Sequence, residues 1–234
     1  MITSLLSNFR SKSSGDSYGF ESVLELLKDQ PADASAPKNM VTAWDLNSFD
    51  LIKEQGKNIL LHFWTPSSEL RRQIDGAKFS KLPNLQIEIE SMEVCSIGHR
   101  ELDPLPKQIL SEMSEIISKF ASVSGAQRLK IQFMRVMDSS CPLYHIDRIG
   151  LRLLCTFVGP GTEWLDDAHV RRKFLGKGGN QKIAKPEAIV YSLQPFQVCL
   201  LKGEAGLNQR GRGIVHRSPH VPEGRWFMRV DTAD

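Results

Sequence analysis

The sequence lacks the features that mark several large classes of protein. It has four cysteines in 234 residues, with no CxxC pair, and no run of about 18 apolar residues. So few and so widely spaced cysteines predict a reduced, intracellular protein, which we place in the cytoplasm. The missing apolar run predicts that no segment spans a membrane. Arg10 follows only a short apolar stretch, which predicts that the chain carries no signal peptide.

The chain also has little excess of charge of either sign. Thirty Lys and Arg oppose 27 Asp and Glu, for a formal net charge of +3. This balance is too even to predict nucleic acid or an anionic membrane as the main partner. The glycine-rich GKGG at 176–179 is not followed by Ser or Thr in the phosphate-loop pattern, so nucleoside triphosphate chemistry is not supported.

What is present fits an ordinary globular chain, 41% hydrophobic and 24% charged. We divide it into two parts. Residues 1–40 form an N-terminal appendage, with a short amphipathic segment over 20–27 and a linker rich in Pro, Ala, Ser and Asp. Residues 41–234 form a single domain, long enough to remove roughly 70% of its unfolded surface from water.

Within that domain one segment has a clear helical pattern. Its apolar residues repeat at helical spacing between Pro106 and Gly125: Ile109, Leu110, Met113, Ile116, Ile117 and Phe120. We predict a supporting helix over 107–123 that lies against a sheet. Strand-like runs precede it at 58–64 and 85–94.

From residue 127 the pattern changes to short β-type runs broken by Gly, Pro and Asn. Many short strands with turn signals indicate a sandwich or a barrel. We therefore predict a mainly β (α+β) chain whose core is a jelly-roll barrel over 127–234, supported by the helix and the earlier strands. The basic, glycine-rich segment 171–186 predicts either a solvated loop or a mobile lid over a pocket.

Three residues of the barrel segment can bind one metal ion. His145 and Asp147 are two apart, so in a strand both side chains point to the same face. His216 follows 71 residues later in another β-type run. Two imidazoles and one carboxylate form the facial triad of non-haem Fe(II) oxygenases, which leaves coordination positions open.

Two arginines follow that triad. Arg225 lies nine residues after His216, and Arg229 has the same parity in the same run. A guanidinium forms two parallel hydrogen bonds to a carboxylate, so either arginine can hold the far end of 2-oxoglutarate. Strand alternation cannot separate the two, and we prefer Arg225 because of its spacing from His216.

The order of these landmarks resembles that of the double-stranded β-helix, or cupin-type, Fe(II)/2-oxoglutarate dioxygenases. The HID of 145–147, the glycine-rich GPGTEW of 159–164, His216 and Arg225 follow one another as in that superfamily. The resemblance implies that His145, Asp147 and His216 bind the iron. It implies that Arg225 anchors 2-oxoglutarate. The gap between HID and the glycine-rich turn is shorter than in the prolyl hydroxylase type.

Three longer strings resemble a narrower family, the bacterial domain-of-unknown-function family 1826. They are YHIDRIGLRLLCTFVGPGTEWL, FQVCLLKGEAG and GIVHRSP, and the resemblance spans about residues 135–231. This resemblance implies a fold and no activity. Because members of the family are often encoded near zinc-responsive genes, it also implies a possible link to zinc homeostasis.

Our leading hypothesis is an Fe(II)- and 2-oxoglutarate-dependent oxygenase acting on a small-molecule or protein substrate that the sequence does not identify. The alternative is a zinc-binding barrel of the same shape, since this donor set binds zinc more tightly than ferrous iron. A zinc hydrolase with Glu163 as base and a non-enzymatic interaction domain are further alternatives. The sequence predicts neither an oligomeric state nor the metal bound in the cell.

Several neighbours of the triad have both a structural and a functional interpretation. Cys141 is four residues from His145, too far along a strand to share a metal, so we predict a structural thiol. The following residues line the site or simply pack: Tyr144, Arg152, Thr162, Trp164, His220 and Trp226.

Overall fold

The computed structural model describes residues 37–99, 102, 105–205 and 212–233. The amphipathic segment 20–27 and most of the linker lie outside these residues, so the division at residue 40 stays a prediction. Ten strands occupy the described chain: β1 Met40–Ala43, β2 Ile59–Phe63, β3 Leu85–Glu90, β4 Arg128–Val136, β5 Leu151–Val158, β6 Glu163–Leu165, β7 Val190–Ser192, β8 Gln197–Lys202, β9 His216–Arg217 and β10 Arg225–Thr232.

Three α-helices accompany the strands: α1 Ser68–Gly76, α2 Ile109–Ser124 and α3 Asn180–Ile183. Helix α2 is the predicted helix, shifted by a residue or two at each end. It ends because Gly125 adopts a left-handed conformation (φ 69°) and donates its N–H to the carbonyl of Ala121. Short 3₁₀ segments lie at Leu46–Lys53, Phe79–Lys81, Ser91–His99, Asp167–His169 and Arg172–Phe174.

The strands form two sheets whose connections define the fold. The large sheet has the order β1-β2-β8-β5-β10-β4-β3, and the small sheet has the order β7-β6-β9. An antiparallel bridge between His145 and His216 adds the segment around His145 to the edge of the small sheet. From β4 onward the chain passes back and forth between the sheets, which is the winding of a double-stranded β-helix. The predicted fold class is confirmed.

Strand alternation separates an outer and an inner face of the large sheet. On β10, Trp226, Met228 and Val230 face outward and pack with α2 in the main hydrophobic core. Phe227 faces inward, in a second cluster that fills the space between the sheets. Arg225, Arg229 and Asp231 have the parity of Phe227, so β10 directs two cations and one anion into the barrel.

One segment differs from the sequence-based expectation, and the packing of a second decides where it lies. Residues 91–94, predicted as the end of a strand, begin the 3₁₀ segment Ser91–His99. It forms because Val94 and Ile97, three residues apart, are both buried in the core formed with α2. The segment 171–186 packs on the outer face of the small sheet, where Ile183 is buried against Tyr144, Leu165 and Val215. It therefore covers the face opposite to the barrel interior.

The helices of the described residues are short or polar on the scale of a bilayer. None of them is both long and apolar enough to cross a membrane.

Candidate active site

His145, Asp147 and His216 lie together at the edge of the small sheet. The backbone N–H of His145 donates to the carbonyl oxygen of His216 at 2.9 Å, and the backbone N–H of His216 donates to the carbonyl oxygen of His145 at 3.0 Å. This paired backbone brings the two imidazole centroids to 4.5 Å from each other. One ligand atom from each of the three residues lies within 4.8 Å of the others, and no further such group occurs among the described residues.

The two imidazoles present the same nitrogen to the centre of the group. Nδ1 of His145 lies 2.9 Å from the carbonyl oxygen of Leu143, and Nδ1 of His216 lies 3.2 Å from that of Ile214. A carbonyl oxygen only accepts hydrogen bonds, so each Nδ1 carries the hydrogen and each Nε2 keeps a free lone pair. The two Nε2 atoms lie 3.7 and 3.3 Å from the oxygens of Asp147. A backbone partner for the second nitrogen is the usual support of a metal-binding histidine.

The charges around the group favour the protonation states that a metal needs. Burial alone would raise the pKa of Asp147, but His216, Arg152 and His145 together hold it well below its usual range. Burial, followed by the neighbouring His216, lowers the pKa of His145. A carboxylate and a neutral imidazole are the metal-binding forms of these side chains.

Arg152 ties Asp147 to the large sheet. Its Nη1 donates to Oδ2 of Asp147 at 2.5 Å, while its Nε and Nη2 donate to the two oxygens of Asp231 at 2.6 and 2.9 Å. The forked contact to Asp231 fixes the plane of the guanidinium. Arg152 thereby holds one oxygen of Asp147 and leaves the other facing His145.

Arg225 is a buried cation that has no carboxylate partner in the part of the chain that the structure describes. The residue is 4% exposed, and its two terminal nitrogens donate to the hydroxyls of Thr162 and Ser218, each at 3.4 Å. Its Nε has no hydrogen-bond partner within the described ranges. The guanidinium carbon lies 4.2 Å from the centre of the Phe227 ring. Burial lowers the pKa of Arg225 to about 10, so the side chain stays charged at neutral pH.

Arg229 has a different environment from Arg225. Its Nε lies 3.1 Å from Oε1 of Gln132 and 3.3 Å from Oδ2 of Asp231. The side chain is 27% exposed. Strand alternation could not separate these two arginines, whereas their described neighbours do. Arg225 is buried and has no anionic partner among them, and Arg229 is partly exposed and shares Asp231 with Arg152.

Three supporting residues escaped the sequence-based reasoning. Ser218 lies two residues after His216 and therefore on the same face, which is a signal that alternation offers. Asp231 has the parity of both arginines on β10. Asn180 accepts from the N–H of Tyr144 and donates to the carbonyl of Pro142, each at 2.8 Å, and no sequence signal indicated this contact.

The remaining predicted neighbours divide between the two faces. Thr162 faces the barrel interior, where its hydroxyl accepts a hydrogen bond from Arg225. Tyr144 packs on the outer face of the small sheet, and Trp226 packs in the main core, where its Nε1 donates to the carbonyl of Pro83 at 2.9 Å. Glu163 accepts from Arg217 at 2.6 Å; its neighbour Trp164 points into the barrel, so Glu163 points away from it.

The cysteine and the last histidine near the triad lie apart from it. Cys141 is exposed and does not belong to the group of possible ligands. His220 is exposed and contacts Asp138 at 3.2 Å.

Solved structures with a similar fold include several dioxygenases. The rice dioxygenase for auxin oxidation is 12% identical, with a TM-score of 0.42, over 75% of this chain and 73% of that one. The Kdo hydroxylase KdoO, a non-haem Fe(II) alphaketoglutarate-dependent dioxygenase, is 9% identical, with a TM-score of 0.44, over 82% and 88%. A Pseudomonas putida prolyl-4-hydroxylase is 11% identical, with a TM-score of 0.42, over 80% and 98%. The fold assignment itself rests on the strand order described above.

A comparison with curated proteins finds no match. A family model described as "Protein of unknown function (DUF1826)" matches residues 46–231, which is most of the chain and includes every residue of the site. The chain therefore belongs to the DUF1826 family.

Proposed function

We propose that this protein is an Fe(II)- and 2-oxoglutarate-dependent oxygenase, which hydroxylates or otherwise oxidises a substrate still to be identified. One observation carries the proposal: a group of two histidines and one carboxylate shares the barrel interior with a buried guanidinium that has no carboxylate partner among the described residues. The triad alone would equally suit a zinc ion, and the guanidinium alone would suit any small anion. Together they fit a metal ion and a dicarboxylate that binds both.

The donor set fits ferrous iron. Two imidazole nitrogens with free lone pairs and one ionised carboxylate converge from one side, so the opposite side is left for a co-substrate. Iron bound here would supply the activation of dioxygen. Zinc fits the same donors more tightly, so the metal found after purification does not by itself decide the function.

The surroundings of Arg225 fit the distal carboxylate of 2-oxoglutarate. A buried charge without a partner is costly, and a carboxylate would satisfy the guanidinium with a pair of charge-assisted hydrogen bonds. The hydroxyls of Thr162 and Ser218 can donate to the same carboxylate. Ser218 is two residues, or about 7 Å of strand, from His216, a distance that a five-carbon dicarboxylate can bridge.

The protein's own residues would then act by binding, orienting and excluding water. Arg152 holds Asp147 in one orientation, and the backbone carbonyls behind His145 and His216 keep both Nε2 atoms facing the centre. Phe227 offers an apolar surface beside Arg225 for the methylene groups of the co-substrate. Around Arg225, which is 4% exposed, the apolar cluster between the sheets keeps bulk water out, which strengthens the charge interactions of this guanidinium.

The test is anaerobic titration of the Fe(II) form with 2-oxoglutarate, followed by its visible charge-transfer band. Arg225→Gln removes the charge and should weaken 2-oxoglutarate binding about 10- to 100-fold while iron binding is unchanged. Arg72→Gln on helix α1 is the matched control, because Arg72 is exposed and lies on a helix outside the barrel strands. It should behave as the wild type.

Two results would overturn the proposal. A wild-type affinity for 2-oxoglutarate in Arg225→Gln would mean that the co-substrate does not use this cation, as expected for a zinc carrier. Unchanged metal content in His216→Ala would mean that the three residues do not form the metal site. The alternative of a zinc hydrolase is less favoured, because Glu163, the general base it would need, points away from the barrel interior.

A further inference from the structure

The inner face of the large sheet carries more positive than negative charge around the site. Three guanidiniums, those of Arg152, Arg225 and Arg229, face two carboxylates, those of Asp147 and Asp231. Further out on the same face, Lys130 lies opposite Glu88 in the β3–β4 pairing and opposite Asp231 in the β4–β10 pairing, and Arg128 forms ion pairs with Glu88 and Glu90. These outer charges balance one another, so the excess cation belongs to the site.

Loading the site as proposed leaves this excess in place. A divalent ion and a 2-oxoglutarate dianion have equal and opposite charges, and the dianion engages Arg225. Arg152 already contacts both carboxylates. The uncompensated charge is therefore at Arg229, whose only anionic contact in the described structure is an oxygen of Asp231 that also accepts from Arg152.

Arg229 is held in place and open at the same time. Oε1 of Gln132 accepts from both Nε and Nη2, and Asp231 lies beside Nε, while Nη1 has no hydrogen-bond partner among the residues that the structure describes. On β10 it lies between Gln132 of β4 and Leu154 of β5. Its side chain is 27% exposed and that of His145 is 35% exposed, so solvent reaches both the arginine and the candidate metal site. A restrained guanidinium with free donors is a ready carboxylate or phosphate site.

We propose that Arg229 binds an anionic group of the primary substrate, so that the substrate of this site is an organic anion bearing a carboxylate or a phosphate. The inference rests on the proposed function, because it places the primary substrate beside the metal and the co-substrate of that function.

The experiment uses the full chain loaded with Mn(II) and saturating 2-oxoglutarate. Acetate, methyl phosphate and neutral acetamide serve as probes, and the paramagnetic broadening of their NMR signals reports binding near the ion. We expect one or both anions to broaden strongly and acetamide to remain sharp. Arg229→Gln should reduce the anion broadening at least tenfold, and Arg229→Lys, which keeps the charge, should retain part of it.

Arg148→Gln is the matched control. Arg148 follows Asp147 directly in the sequence and is exposed, so Arg148→Gln removes an equal charge next to a candidate ligand and should leave the broadening unchanged. If acetate broadens more than methyl phosphate, the anionic group of the substrate is a carboxylate; if methyl phosphate broadens more, it is a phosphate. Unchanged Mn(II) and 2-oxoglutarate affinities in Arg229→Gln show that the variant is folded.

The possible failures are distinguishable. If Mn(II) and 2-oxoglutarate bind but the anions stay sharp, or broaden equally in Arg229→Gln, this inference is overturned and the proposed function stands. Acetamide broadening as much as acetate also overturns it. If the wild type does not bind Mn(II) or 2-oxoglutarate, the proposed function fails and this inference fails with it.

Discussion

At the scale of single residues, the environment of Arg225 is incomplete in a specific way. Its two protein hydrogen bonds are long, at 3.4 Å, and both go to neutral hydroxyls. Neutral acceptors at that distance stabilise a guanidinium much less than a carboxylate does. The residue therefore has unused binding capacity, and each hydroxyl beside it is placed to contact whatever anion binds there.

Thr162→Val tests this arrangement without touching a charge. Valine keeps the shape of threonine and removes the hydroxyl, so 2-oxoglutarate should bind about 5- to 10-fold more weakly, the typical effect of one hydrogen bond. Metal binding should be unchanged. Calorimetric titration of the metal-loaded protein measures both, and Thr162→Ser, which keeps the hydroxyl, should bind as the wild type. Equal affinities in the valine and serine variants would contradict the role of the hydroxyl.

The buried His62 should make the free energy of unfolding depend on pH. It is 8% exposed, with Nδ1 3.0 Å from the carbonyl oxygen of Ala43, and burial lowers its pKa. The unfolded chain takes up a proton on this imidazole near pH 6.5 and the folded chain resists it, so stability should fall as the pH drops below that value. His62→Asn keeps an N–H donor for Ala43 and removes the titration.

Urea unfolding at pH 7 and pH 5 gives the comparison. The wild type should lose more unfolding free energy than His62→Asn over this interval. His145, whose pKa is also lowered, is present in both proteins, so the difference reports His62 alone. Equal losses in the two proteins would refute the assignment.

At the scale of secondary-structure elements, the triad depends on a short edge of the small sheet. His145 joins that sheet by one bridge rather than by a full strand. Its segment is held from the other side by α3, through the amide of Asn180, which contacts the backbone at Pro142 and Tyr144. The 171–186 segment thus supports the metal site from behind, by fixing the backbone that carries His145.

Asn180→Ala should loosen this segment. Two hydrogen bonds of 2.8 Å are lost, each worth about 1 kcal/mol, and the misplacement of His145 should lower metal affinity about tenfold. Competition against a chelator of known affinity measures the change. Gln181→Ala is the control, since Gln181 lies on the same helix with an exposed side chain. An unchanged affinity in Asn180→Ala would show that the bridge to His216 suffices.

The sequence predicts elements well where local pattern and tertiary burial agree. Strand β5 occupies the predicted run 151–158 because Gly150 and Gly159 bound it and both faces of its centre are buried. Residues 91–94 break this agreement, since packing against α2 overrides a β-type pattern. Contacts such as Asn180 with Pro142, or Arg225 with Ser218, join residues from separate elements, so no local pattern contains them.

At the scale of the whole molecule, the candidate metal site joins distant parts of the chain. His145 and His216 are separated by 71 residues in sequence, while their ring centroids lie 4.5 Å apart. Arg152 and Asp231 extend the same network into the large sheet. The three candidate ligands come together only in the folded chain, so the binding free energy of an ion held between them adds to folding stability.

Metal binding should therefore raise the unfolding temperature. A ligand at 100 times its Kd stabilises the folded state by about 2.7 kcal/mol, which for a chain of this size corresponds to roughly 5 to 10 °C. We expect that rise with Fe(II) under anaerobic conditions and with Zn(II), and its reversal by a chelator. Asp147→Asn keeps the size of the side chain and removes the anionic ligand, so the rise should largely disappear.

Asp75→Asn, an exposed substitution on α1, should retain the full rise. Because the unfolded chain keeps its histidines and cysteines, weak metal binding to it reduces the shift equally in all three proteins. An equal rise in Asp147→Asn and Asp75→Asn would therefore place the stabilising ion away from the triad.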